Sequence, residues 1–267
     1  MSTYEKYYVP EQSRFPIYAA TSLFILVMGA ASTINALGQP DSMAKYILYA
    51  GLVSFGATLF FWFRKVAQEH LAGLDSAQLN QSFVYGMAWF IFSEVMFFAA
   101  FFGALYYARE LSLPWLAGDG SKVSTNQELW PSFENVWPSN GPANYGGDFI
   151  VMKAAGIPAL NTIILLISGL TVTWAHHGLK EGKRNQLIIG LLATVLLGFI
   201  FVGFQAYEYS VAYNDLNLKM TSGMYGSTFY MLTGFHGFHV TLGAIMLTVI
   251  LFRCIKGHFT NENHFGF

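Results

Sequence analysis

Residues 83–105 read FVYGMAWFIFSEVMFFAAFFGAL, an apolar run interrupted by one carboxylate, Glu94, near its middle. About 20 apolar residues in a helix, rising 1.5 Å each, cross the hydrocarbon core of a bilayer. A run of this length therefore predicts a membrane-spanning helix. Moving a carboxylate out of water costs several kcal/mol unless it is protonated, hydrogen-bonded or paired. An acid at this depth is for that reason a candidate functional residue.

Composition extends this reading to the whole chain. Of 267 residues, 54% are hydrophobic and 11% charged, against about 25% charged in soluble domains. The mean hydropathy is +0.42. So few polar groups cannot cover the surface, and lipid must cover the rest. Six apolar segments qualify as spans, at roughly 16–37, 45–64, 82–107, 158–177, 187–208 and 227–252. Backbone groups in lipid must be satisfied internally, which demands helices. The alternation of a membrane β-barrel is absent, as is the internal repeat of many transporters. The fold class expected is all-α, a polytopic transmembrane helical bundle. A polar segment of about a dozen residues precedes the first span, which runs too far for the apolar region of a cleavable signal peptide. Net charge is −1, without the basic stripe of a nucleic-acid binder. Cys254 is the sole cysteine, which excludes an internal disulfide and a multi-cysteine metal site.

Loop charge sets the expected orientation. Lys6, Arg14, Arg64, Lys65, Lys180, Lys183, Arg184, Arg253 and Lys256 fall on one side of the six spans. Lys45, Arg109, Lys122, Lys153 and Lys219 fall on the other. The positive-inside rule then puts both ends of the chain in the cytoplasm. Residues 109–157, with Trp130-Pro131, Trp137-Pro138, Gly141-Pro142 and Gly146-Gly147, read as a long external loop. Its tryptophans suit either the headgroup level or a partner surface. The expected division is a two-helix N-terminal part, 1–66, and a larger bundle, 67–267.

The polar residues inside the spans carry the candidate chemistry. Glu94, with Ser93 beside it, reads as a proton-exchanging carboxyl, a polar anchor, or a neutral hydrogen-bonded acid. His236 and His239 stand at i, i+3 on one face of the sixth span. They suit a shared metal, which would need further ligands, or a packed, hydrogen-bonded interior beside Gly234 and Gly237. His176 and His177 end the fourth span. Glu208 ends the fifth, where a carboxylate reaches external water. Arg64, Arg253, Lys256 and His258 lie at cytoplasmic helix ends and suit lipid phosphates, or they simply snorkel. No phosphate-binding Gly-Lys-Ser/Thr loop, GxSxG or HExxH is present. The chain reads as an accessory or conducting subunit.

Several strings together resemble subunit III of the haem-copper oxidases, the cytochrome c oxidase family. They are Tyr85-Gly86-Met87 with Phe90-Ile91-Phe92-Ser93-Glu94-Val95; Pro158-Ala159-Leu160-Asn161-Thr162; Ser168-Gly169-Leu170-Thr171-Val172-Thr173-Trp174-Ala175-His176-His177; Gln205-Ala206-Tyr207-Glu208-Tyr209; Gly226-Ser227-Thr228-Phe229; Thr233-Gly234-Phe235-His236-Gly237-Phe238-His239-Val240; and His258-Phe259-Thr260 with His264-Phe265-Gly266-Phe267. Tyr7-Tyr8-Val9-Pro10 looks like bacterial members.

The resemblance implies a core subunit of a proton-translocating oxidoreductase of the aerobic respiratory chain, in the bacterial cytoplasmic membrane. It implies no redox centre in this chain, haems and copper in catalytic subunit I and copper-bearing subunit II, and bound phospholipid. Support of proton uptake and protection of the complex during turnover are implied as well. So is a V-shaped lipid cleft between a two-helix and a larger bundle. The implied lipid contacts are Arg64, Glu94, His239, Arg253, Lys256 and His258, while His176, His177, Glu208 and His236 remain polar bundle or helix-end residues. Two departures stand out. The family usually continues beyond His-Phe-Gly-Phe into a seventh helix, and 109–157 is longer than in compact members. A quinol oxidase subunit is the nearest alternative, and an independent proton-coupled transporter a more distant one.

Overall fold

The computed structural model describes residues 9, 12–36, 43–74, 76–144, 146–261, 264 and 266–267. Lys6, Phe265 and, Val9 apart, the Tyr7-Tyr8-Val9-Pro10 string lie outside these residues. Among the described residues all regular structure is helical: α1 Phe15–Asn35, α2 Ala44–Leu71, α3 Ala77–Tyr107, α4 Val123–Leu129, α5 Ile157–Lys180, α6 Arg184–Asn214 and α7 Gly223–Ile255. Among the described residues six helices are long and apolar enough to cross a membrane, the third running on from Ala77 to Leu116. This is the six-span, multi-pass architecture expected from the apolar runs.

The helices outrun those runs. The expected segments stop where hydropathy falls, yet a helix continues into the headgroup zone because its backbone bonds need no lipid. α2 thus runs on past Arg64 through Lys65 and Glu69, which stand 3.9 Å apart at i, i+4. The stretch 109–157 likewise begins as helix. After Tyr107 a π turn, Ala108–Ser112, leads into a last turn, Leu113–Leu116. The Leu113 amide donates five residues back to Ala108, and Pro114 has no amide to offer, so the wider turn carries the chain past it.

The chain divides into two compact units, Met1–Ala88 and Trp89–Phe267, with the boundary inside α3. In the first, α1 and α2 pack antiparallel with Phe15 stacked on Trp62 at 5.9 Å. A Cβ on Gly29 would fall on the Leu48 backbone, and one on Gly51 on the Leu26 backbone. Two glycines thus let the backbones touch, the small-residue packing that membranes favour.

In the second unit α5, α6 and α7 follow one another antiparallel. The Thr171 and Thr194 hydroxyls meet at 2.8 Å, and a Cβ on Gly190 would stand 2.8 Å from that of Ala175. Near the α5–α6 turn, Ala175, Leu179, Leu187, Leu191, Val195, Leu251, Cys254 and Phe259 form one core. At the opposite end Ala212, Leu218 and Tyr230 form another, joined by Phe149 and Tyr225. Tyr230 donates its hydroxyl hydrogen to the Leu218 carbonyl at 2.6 Å. α3 differs from all of these in that none of its residues is buried.

Candidate functional site

His239 is the midpoint of α7, Gly223–Ile255, and Glu94 lies near the midpoint of the third span, Ala77–Leu116. The two meet across the second unit, with His239 Nε2 2.5 Å from Glu94 Oε2. The other ring nitrogen, Nδ1, lies 2.6 Å from the Phe235 carbonyl one turn back. A carbonyl only accepts, so Nδ1 carries a hydrogen. One proton then remains between Nε2 and the carboxyl. On the carboxyl it makes an acid facing a neutral imidazole. On the ring it makes a carboxylate facing an imidazolium. Both forms have zero net charge, which is how a carboxyl is tolerated at this depth.

Phenylalanines collar the pair. The rings of Phe98, Phe238 and Phe97 stand 5.2, 5.8 and 5.9 Å from the imidazole. Phe97 and Phe101 pack in turn on Phe235, at 5.1 and 5.2 Å. The collar is open on one side: the His239 and Glu94 side chains are 31% and 32% exposed. Ser93 does not join the pair, because its hydroxyl donates to the Phe90 carbonyl at 2.7 Å. The partner of Glu94 comes from the last span, a pairing that local sequence does not announce.

The remaining candidates are spread out. His236 turns to α6, edge-on to Phe201 at 5.7 Å, while His239 turns to α3. Among the described residues no group of three His, Cys, Asp or Glu side chains is placed to hold a metal. Arg253, near the end of α7, lays its guanidinium over the Phe259 ring at 4.5 Å. Its Nε is buried without a hydrogen-bond partner among the described residues. Lys256 is exposed and His258 half-buried just beyond. His176 stacks on Phe267 at 5.6 Å and stands 6.1 Å from the His264 ring. His177 is exposed, as is Arg64 in the first unit. In the α5–α6 turn, Lys183 reaches Glu181 at 2.7 Å and its hydrogen bond holds that carboxyl below the ordinary value.

Glu208 departs most from expectation. The sequence places it in reach of external water, but in the fold it is 6% exposed. One turn of α6 separates it from the apolar run, and on that turn its side chain lies on the buried face while Ala206 and Tyr207 stay exposed. Asn161, at 3% exposure the most buried amide side chain described, was not singled out by sequence reasoning. A polar residue on the inward stripe of an apolar helix is the signal that points to it.

The comparisons with known proteins agree with one another. The family profile described as Cytochrome c oxidase subunit III matches residues 5–118 and 130–267. Residues 119–129, which carry α4, fall outside it. Cytochrome c oxidase subunit 3 of Squalus acanthias is 37% identical over 262 residues, spanning 98% of this chain and 87% of that protein. The subunit 3 of Prototheca wickerhamii is 38% identical over 264 residues, spanning 98% and 88%. That of Chondrus crispus is 35% identical over 264 residues, spanning 98% and 85%. The chain therefore belongs to the cytochrome c oxidase subunit III family, as a multi-pass membrane subunit of an oxidoreductase complex.

Proposed function

We propose that this chain holds phospholipid against the oxidase core and supports proton uptake indirectly, carrying no redox centre itself. The carrying observation is the Glu94–His239 pair, hydrogen-bonded near the middle of two apolar spans with its side chains 32% and 31% exposed. An open polar pair surrounded by phenylalanine suits a fixture that lipid packs over. On the same helix, Arg253 lies about 21 Å along the axis from His239. The hydrocarbon half-thickness is about 15 Å and the headgroup zone lies beyond it. A phosphate at Arg253, Lys256 and His258 would thus send its acyl chains to the level of the pair. Each basic contact with a headgroup is worth about 1 kcal/mol. Arg64 is proposed as the corresponding lipid contact of the first unit, within a two-helix N-terminal part.

The partners in this reading are the catalytic subunit with its haems and copper and the copper-bearing second subunit. The membrane is the bacterial cytoplasmic one, with the N-terminus on the cytoplasmic side, as the distribution of Lys and Arg favours. Mass spectrometry of purified oxidase tests the lipid role. Arg253→Ala is expected to lose bound phospholipid and to shorten the time before inactivation in turnover, with the initial rate near wild type. Unchanged phospholipid content in Arg253→Ala would refute it.

A further inference from the structure

Asn161 on α5 and Glu208 on α6 are 3% and 6% exposed. Neither amide atom of Asn161, nor Oε1 of Glu208, has a hydrogen-bond partner among the described residues. Buried polar atoms in folded proteins are nearly always bonded, and an unsatisfied amide costs about 1–3 kcal/mol. Three such atoms belonging to two facing helices call for a common partner.

The register between α5 and α6 places them. Thr171 faces Thr194, and Ala175 faces Gly190. Asn161 lies two heptads from Ala175 on the same stripe of α5, and Glu208 two heptads from Thr194 on the same stripe of α6. Continued to that end, the register sets Asn161 level with Phe204, one turn or about 6 Å short of Glu208. Side chains lean towards the N-terminus of their own helix. In this antiparallel pair Asn161 leans towards the level of Glu208, and Glu208 towards the level of Asn161. On this register the two side chains lean towards a common level, and neither amide atom of Asn161 bonds the carboxyl.

We infer that Asn161 and Glu208 form an internal polar site that holds ordered water. A water molecule there accepts from Asn161 Nδ2 and donates to Asn161 Oδ1 and Glu208 Oε1, within the two to four bonds that buried waters make. Lipid and partner subunits do not reach the site, since the chain itself covers both side chains. The site is separate from the Glu94–His239 pair and independent of the lipid reading.

A structure of the assembled oxidase in lipid nanodiscs, at a resolution that shows waters, tests this. Density within hydrogen-bond distance of both side chains is expected in the wild type and in Glu208→Gln, whose amide still bonds water. It is expected to vanish in Asn161→Leu and in Glu208→Leu. Each Leu variant should lower the temperature at which the subunit leaves the complex, and the Asn161→Leu/Glu208→Leu double variant should lower it no further than the worse single. A direct Asn161–Glu208 bond with no intervening density, density with metal-ligand distances, or additive shifts in the double variant would each overturn the inference. If the Leu variants do not assemble, the wild-type and Glu208→Gln maps decide it.

Discussion

Replacing Glu94 in steps separates a shared proton from a required charge. In Glu94→Gln the side-chain amide donates to His239 Nε2, the ring staying neutral with Nδ1 still bonded to the Phe235 carbonyl. With the shared proton on the ring, a neutral hydrogen bond replaces a charge-assisted one, a difference of about 1 kcal/mol; with it on the carboxyl, one neutral bond replaces another. With the two side chains 31% and 32% exposed, the loss should be smaller still. Glu94→Leu instead leaves Nε2 without a partner inside the phenylalanine collar, at about 1–3 kcal/mol. His239→Leu orphans the carboxyl to a similar degree. Removing both at once leaves nothing unpaired, so Glu94→Leu/His239→Leu should return close to wild type. The assay is thermal release of the subunit from purified oxidase, read as a double-mutant cycle. The reasoning fails if Gln is as damaging as Leu, or if the two Leu substitutions simply add. In activity, Glu94→Gln should keep its initial rate and lose lifetime during turnover. Complete loss of initial turnover with normal assembly would contradict an indirect proton role.

Other positions make independent predictions. Gly29→Val drives a side chain into the Leu48 backbone, so overpacking of about 3 kcal/mol should abolish the α1–α2 hairpin and assembly, visible as loss of the subunit from the membrane. Thr194→Val removes one of the two hydroxyls that meet at 2.8 Å; interhelical bonds of this kind average about 0.6 kcal/mol, so thermal release should shift only slightly. Tyr230→Phe leaves the Leu218 carbonyl without its 2.6 Å donor and should cost about 1–2 kcal/mol, more than Thr194→Val in the same assay. Lys256→Ala should weaken phospholipid retention about fivefold, the equivalent of one basic contact of about 1 kcal/mol, measured by lipid exchange.

The span count was legible in the sequence because hydropathy and backbone satisfaction leave so few options. Span ends were not, because a helix goes on through residues such as Lys65 and Glu69 that a hydropathy window rejects. The π turn at Ala108–Ser112 hid for a related reason: Arg109, Glu110 and Pro114 look like loop, yet one wider turn keeps the helix going. Glu94 was found by its cost alone. Its partner was not, since the two residues are 145 apart in sequence and only the packing of α3 beside α7 brings them together. The neighbouring histidines show the limit of spacing as evidence: His236 and His239 share a helical face by count, but one meets Phe201 and the other Glu94.

Two carboxyls in this bundle meet the same desolvation cost in different ways. Glu94 takes a histidine, keeps one proton between them and leaves a side of the pair open. Glu208 lies almost fully covered, with one oxygen unpartnered among the described residues and a similarly unpartnered amide on the facing helix. A pair that can place its proton on either partner while staying neutral tolerates changes in its surroundings, which suits a position packed by exchangeable lipid. A carboxyl enclosed by its own chain has no such freedom, and its surroundings must be fixed by the packing of α5 on α6. Substitutions around Glu94 should therefore act on turnover lifetime, and those around Glu208 on the stability of the helix pair.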